Sequence, residues 1–280
     1  MSSPPTFTVV IPTRDRPRYL REAVESVLRQ THTDFEVVVV DDAGELPVEL
    51  PSDSRIRVVR HPRRKGPGAA RNTGIREARG RFVTFLDDDD LYTADRLASA
   101  LTTLERSPIA VCWSAFLDGQ TAPNRLLDGD VYDVVLDDYT PHVGAVAIRR
   151  DLVPEFNEEY LACQDIEWWL RVAATGSVAT DPTVGYLIRR HDAVRDLNGL
   201  EVRIQYSLRL LRDHREYFRH HRMAAGFRWW RVGVDGPHSR ELPAGQEGIS
   251  EVASAAALGW HRVASIRVLC LGAQDASPMR

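Results

Sequence analysis

Only three cysteines occur in the 280 residues, Cys112, Cys163 and Cys270, and no two stand in a CxxC pair. An odd count without close spacing argues against a disulfide framework or a structural zinc site, and it suits a reducing cytoplasm. Long apolar runs are missing too: none approaches the roughly 20 residues of a membrane-spanning helix. The opening MSSPPTFTVV lacks the basic and apolar regions of a secretory signal. These features predict a cytoplasmic protein, with peripheral contact at the inner face of the membrane left open. No GxxxxGK followed by Ser or Thr exists, which excludes a P-loop, and no GxGxxG follows the first apolar stretch, which argues against a dinucleotide site. Excess charge of one sign is also lacking: the net charge is −4 with 27% charged residues, which excludes a general nucleic-acid binder.

What is present is a core and a rhythm. The chain is 43% hydrophobic, and apolar runs at 7–12 (FTVVIP), 35–42 (FEVVVVDD), 55–61, 81–86 (RFVTFL), 109–116 and 184–192 read as strands. Between them, helical spacing follows Pro17, with Leu20, Ala23, Val24, Val27 and Leu28 on one face, and recurs at 66–80, 93–107 and 163–177. Alternating strands and helices predict an α/β fold with a mostly parallel sheet. The uninterrupted Val, Ile and Phe runs predict a sheet covered on both faces.

Ligands of such sheets bind outside the carboxyl ends of the strands. That rim collects Thr13 and Arg14 after the first strand, Asp41 and Asp42 after the second, and the run Asp87 to Asp90 after the fourth. So many carboxylates raise one another's pKa unless a cation intervenes. Mg²⁺ or Mn²⁺, which takes one or two carboxylates together with substrate phosphates, would meet that need. The competing reading is a solvated acidic loop that caps the helix from Thr93. Arg14, Lys65 and Arg71 are the candidate phosphate-binding cations.

The segments 9–44 (VVIPTRDRPRYLREAVESVLRQTHTDFEVVVVDDAG) and 66–90 (GPGAARNTGIREARGRFVTFLDDDD), followed by QDIEWWLR at 164–171, resemble the family 2 glycosyltransferases of the GT-A fold. The resemblance implies a GT-A-type, Rossmann-like, mostly parallel sheet flanked by helices. It implies a nucleotide-diphospho-sugar donor (a uridine diphosphate sugar by the family's habit), a divalent metal, and transfer to an acceptor hydroxyl with inversion. The acceptor could be a glycan, a lipid-linked glycan or a small natural product. Pro12, Thr13, Arg14, Asp42, Arg71, Asp87 and Asp88 would then bind the nucleotide-sugar, with Asp42 at the base or ribose, and Asp89 would bind the metal. Four consecutive acids leave the register open by one residue.

The same resemblance puts the general base in an acidic pair whose first member is Gln164 here, so Asp165 inherits the role and Glu167 is its fallback. A carboxylate in the first turn of a helix is favoured in its ionised form. His191, just past the last strand, would stand on the metal side, and Gly144 in PHVGAVAIRRD (141–151) would permit a close approach. Trp168 and Trp169 are read as core residues, with the floor of the sugar or acceptor pocket as the alternative for one of them. The basic helix expected at 201–222 is read as a solvated face paired in part with Asp213 and Glu216. Residues 1–222 are assigned to the glycosyltransferase-like domain. Residues 223–280 are assigned to a helical extension, with a linker at 239–248 and a helix at 249–272 that packs on the domain or forms a homodimer contact. Two rival functions use related parts. A sugar nucleotidyltransferase wants a glycine-rich loop after strand one, which IPTRDRPRYL is not; a non-catalytic binding protein would lack Asp89 or Asp165, and both are present.

Overall fold

The computed structural model describes residues 3–132, 134, 139–160 and 162–190, together with 205, 206, 208–210 and 212–214. The chain divides into two compact units, Met1–Val194 and Arg195–Arg280. In the first, β1 (Phe7–Thr13), β2 (Phe35–Asp41), β3 (Ile56–Arg60), β4 (Phe82–Phe85), β5 (Leu91–Tyr92), β6 (Ile109–Phe116), β7 (Val146–Arg149) and β8 (Val178–Ile188) form one sheet in the order β3-β2-β1-β4-β7-β6-β8-β5. The quartet β3-β2-β1-β4 is wholly parallel. β7 runs antiparallel to both of its neighbours, β6 and β8 are parallel, and β5 pairs antiparallel with β8. This is the α/β architecture with a mostly parallel sheet that the alternation of strands and helices predicts, with β5 and β7 as its antiparallel members.

Burial explains the central strands. Val9, Val10 and Ile11 of β1 and Val37 to Val40 of β2 are all fully buried, and each side chain contributes about 1.5–3 kcal/mol by leaving water. Helix α1 (Pro17–Leu28) covers one face with Leu20, Ala23, Val24 and Val27, and Pro17 sits in its first turn, where a missing N–H is harmless. Helix α2 (Pro67–Glu77) has little apolar asymmetry and relies on close contact. A Cβ on Gly74 would stand 2.1 Å from a Val10 methyl, so only glycine lets this helix lie so near β1. Helices α3 (Arg96–Leu104) and α4 (Gln164–Ala173) complete the described layers.

β8 begins earlier than the sequence pattern suggests. The sequence pattern gives a strand at 184–192, yet β8 starts at Val178 and runs through Asp181-Pro182-Thr183. Cys112 pairs with Asp181 and Trp113 with Val184, so the pairing slips at this point, and an irregularity of this kind is where a strand tolerates proline. Gly144 lies in a 3₁₀ turn, and what approaches it is the Tyr186 ring, 2.0 Å from where a Cβ would be.

Pro12 marks where the sheet opens. The Leu86 N–H donates to the Val10 carbonyl, the last described rung between β1 and β4. Pro12 faces the same side two residues on and has no N–H to offer, and beyond it the Thr13 hydroxyl reaches Asp88 at 2.7 Å. Thr13, Asp41, Asp42 and the 87–90 loop consequently line one rim.

In the second unit the described residues 205, 206, 208–210, 212 and 213 are helical, and Asp213 accepts hydrogen bonds from Arg209 at 3.1 Å and Arg212 at 3.2 Å. His191, the 222/223 boundary, the 239–248 linker and the 249–272 helix lie outside the described residues. Among the described residues no helix is long and apolar enough to cross a membrane.

Candidate active site

The four aspartates after β4 are each answered by donors from elsewhere in the chain. Asp87 accepts from Arg71 Nη2 at 2.5 Å. Asp88 is buried and accepts from the Thr13 hydroxyl at 2.7 Å and from Arg16 Nη1 at 3.2 Å. The same Arg16 nitrogen donates to Asp89 at 2.6 Å. Asp90, also buried, takes the Tyr186 hydroxyl on one oxygen and the Arg189 N–H on the other at 2.8 Å. Arg189 in turn donates from Nε to the Asp89 carbonyl at 2.8 Å and from Nη2 to Glu22 at 2.6 Å.

Burial decides the charge states here. It raises the Asp88 pKa, against the opposing Thr13 hydrogen bond and the Arg16 charge. Burial, with Asp87 and Asp89 adding like charge, pushes Asp90 up to about 7 despite its two hydrogen bonds. The folded chain therefore holds this proton at a pH where the unfolded chain has lost it. Its contribution to stability falls as pH rises from the unfolded value of 3.8 to about 7. Asp90→Asn cannot ionise, so it is expected to melt near the parent's temperature at about pH 4 and above it at about pH 8. A thermal melt at both pH values checks this, and a variant that melts below the parent at the higher pH contradicts it.

The first turn of α4 faces the same region. The Asp165 side chain is exposed there, and its charge reaches two other groups. Burial works against the Arg71 guanidinium, but Asp87, Tyr186 and Asp165 outweigh it and raise its pKa. Burial lowers the His142 pKa, while Asp87 and Asp165 oppose that shift. Asp87, Arg71, His142 and Asp165 thus share one electrostatic neighbourhood. Contact between helices brings it together: a Cβ on Gly68 of α2 would sit 3.2 Å from the Gln164 side chain at the start of α4. Glu167 is placed differently. It is buried and gripped through both oxygens by Arg171, at 2.8 and 2.6 Å.

Both tryptophans are core. Trp168 and Trp169 are fully buried, and their indole N–H groups donate at 2.8 Å to the carbonyls of Pro154 and Pro141. Trp168 stacks on Phe156 with centroids 4.8 Å apart, and the Arg71 guanidinium lies 5.4 Å from the Phe156 ring centre. An aromatic stack therefore floors the Arg71–Asp87 pair.

The far end of the rim is separate. Asp42 accepts from His61 Nδ1 at 2.8 Å, Lys65 N–H at 2.8 Å and Gly66 N–H at 2.7 Å. Burial opposes its charge, yet these bonds win and lower its pKa. Asp41 ties Gly44 N–H at 2.8 Å to Arg60 at 2.6 Å. Arg14 pairs loosely with Asp15 at 3.5 Å, and Lys65 contributes its backbone N–H to this end of the rim. Arg16, Tyr186, His61 and His142 escaped the sequence reading. Nothing in their residue type separates them from the chain's other arginines, tyrosines and histidines.

Among the described residues no three His, Cys, Asp or Glu side chains are grouped to enclose a metal ion. A hard divalent cation shared with a substrate's phosphates needs only one or two carboxylates. Asp87 and Asp89, with side chains 37% and 16% exposed, offer donor oxygens of that kind.

The description "Glycosyl transferase family 2" matches residues 8–136. The succinoglycan biosynthesis protein ExoW of Rhizobium meliloti is 41% identical over 123 residues, which cover 40% of this chain and 38% of that protein. The Escherichia coli UDP-Glc:alpha-D-GlcNAc-diphosphoundecaprenol beta-1,3-glucosyltransferase WfgD is 24% identical over 186 residues, covering 61% of this chain and 71% of that one. The chain spans 15% to 38% of the length of four curated relatives, ExoW among them. Among solved structures, Staphylococcus aureus TarS 1-349 superposes with a TM-score of 0.63 at 19% identity, over 90% of this chain and 79% of that one. TarS has also been crystallised with UDP and with UDP-GlcNAc.

Proposed function

We propose, from the match of residues 8–136 to the glycosyl transferase family 2 description, that this protein transfers a sugar from a nucleotide-diphospho-sugar to an acceptor hydroxyl, with inversion at the anomeric carbon. The observation that carries this reading is the shared field of Asp87, Arg71 and Asp165, which joins an acidic strand-end rim to a carboxylate at a helix start. Uridine diphosphate is the favoured nucleotide, since UDP complexes of TarS share the fold and WfgD is named for a UDP-sugar.

Asp165 is the general base. Exposed, it can reach an acceptor hydroxyl and take its proton. The acceptor oxygen then bonds to the anomeric carbon as the bond from that carbon to the diphosphate breaks. The proton stays on Asp165 and the electron pair leaves with the diphosphate. One in-line displacement inverts the configuration. Glu167, neutralised by Arg171, is the weaker candidate. Arg71 orients Asp87 and holds a positive charge beside the reacting region. Thr13 and Arg16 hold Asp88 and Asp89 in place. A bound Mn²⁺ or Mg²⁺, held by Asp89 with Asp87 or Asp88, would supply Lewis-acid stabilisation of the leaving diphosphate.

Calorimetry of UDP binding with and without Mn²⁺ tests the reading. The parent is expected to bind UDP more tightly with the metal, and Asp89→Ala to lose that increment while keeping its fold. Saturating UDP should also raise the parent's melting temperature by mass action. Equal metal-dependent affinity in parent and variant removes Asp89 from the metal site, and a parent blind to every nucleoside diphosphate removes the donor.

A further inference from the structure

We propose that His61 is a positioning residue: it braces the Asp42 end of the rim against α2 and thereby fixes where the donor's nucleoside is held. The second half of this statement rests on the transferase reading above; the first half stands on geometry alone.

His61 is buried at the end of β3 and uses both ring nitrogens. Nδ1 meets Asp42 Oδ1 at 2.8 Å and Nε2 meets Thr73 Oγ1 at 2.8 Å. Its backbone N–H donates to the Asp41 carbonyl at 2.9 Å. An ionised Asp42 can only accept, so Nδ1 carries the hydrogen, and Nε2 shares the second bond with the Thr73 hydroxyl, which can donate or accept. Thr73 Oγ1 is itself steadied by Arg76 at 3.2 Å. The flat ring is thus a rigid strut from the end of β2 to the second turn of α2, the helix that carries Arg71.

Asp42 extends the strut to the loop. The segment 62–65 (Pro-Arg-Arg-Lys) is exposed, yet the Lys65 and Gly66 N–H groups both close onto the Asp42 carboxylate. One carboxylate therefore holds the strand end, the loop and, through His61, the helix. A carboxylate has about four acceptor positions, three of which the chain fills here, leaving about one to face a ligand. That remaining position is useful only if the carboxylate cannot rotate, and His61 prevents the rotation.

Two substitutions separate the ends of the strut. His61→Asn puts an amide N–H where Nδ1 stood and keeps the Asp42 bond. His61→Gln reaches toward Thr73 but gives up the Asp42 geometry. Calorimetry with UDP and Mn²⁺ is expected to show about a tenfold rise in Kd for His61→Gln, the worth of one hydrogen bond to a charged group, and a much smaller rise for His61→Asn. Turnover at saturating donor should stay within about twofold of the parent in both. Limited trypsin digestion should cut after Arg63, Arg64 or Lys65 several-fold faster in His61→Gln than in the parent or His61→Asn. Equal cleavage in all three overturns the strut. Faster cleavage in His61→Gln with unchanged Kd, or equal affinity losses in the two variants, overturns the link to the nucleoside. A parent that binds no UDP overturns that link together with the transferase reading, while the digestion still judges the strut.

Discussion

Asp165→Asn is expected to lower turnover by about 10²- to 10⁴-fold, the usual cost of losing a general base, with the Kd for UDP unchanged. The substitution keeps the side chain's size and removes only its basic oxygen. Donor affinity should survive because Asp165 stands at the start of α4, whereas the strand-end groups expected to hold the nucleotide follow β1, β2 and β4. Glu167→Gln is the internal control. Its ion pair with Arg171 makes it a stability residue, so the melting temperature should fall while the rate holds. Near-parental turnover in Asp165→Asn would move the base elsewhere. A product with retained configuration, read from its anomeric proton coupling, would rule out the single displacement.

Trp168→Ala is expected to cost about 3–5 kcal/mol of unfolding free energy, the range for removing a buried aromatic side chain. Urea denaturation followed by fluorescence and circular dichroism would measure it. The cost has three sources. The indole is fully buried, it stacks on Phe156 at 4.8 Å and meets Phe85 edge-on at 5.5 Å, and its N–H satisfies the Pro154 carbonyl. Truncation leaves a cavity directly beneath the ring that supports Arg71, so the rim should loosen as well as the core. Trp168→Phe keeps an aromatic ring and gives up the indole N–H, so it should cost far less. A loss below about 1 kcal/mol in the alanine variant would mean that the core closes over the gap.

The rim was legible in the sequence because parallel strands must end together. The acids at 41–42 and 87–90 each follow an apolar run, so the topology alone brings them to one edge. Their partners were not legible. Arg14, Arg16 and Arg18 look alike in sequence, and only the backbone turn before α1 aims Arg16 at Asp88 and Asp89. Asp42 was read as a ligand contact. Its three bonds to His61, Lys65 and Gly66 depend on where the loop after β3 turns back, which no local pattern encodes. The early start of β8 was hidden because Asp-Pro-Thr has the composition of a turn and enters the sheet only through an irregularity in β8 itself, where Pro182 and Thr183 are left unpaired between Asp181 and Val184. The tryptophan pair was legible only in part: core packing was expected of each with a pocket floor as the alternative for one, and both are fully buried.

Arg16 and Arg71 have a consequence for how the protein comes into being. Metallodomains whose ligands repel one another need their ion before they can fold. This chain carries counter-ions for three of the four aspartates, Arg71 for Asp87 and Arg16 for Asp88 and Asp89, while Asp90 is held by the Tyr186 hydroxyl and the Arg189 backbone N–H. It can leave the ribosome in a cell short of divalent metal and still close its sheet. On the metal-dependent reading proposed above, a cation that arrives later would act as a reagent for turnover, and its scarcity would silence the protein without exposing its core to proteases.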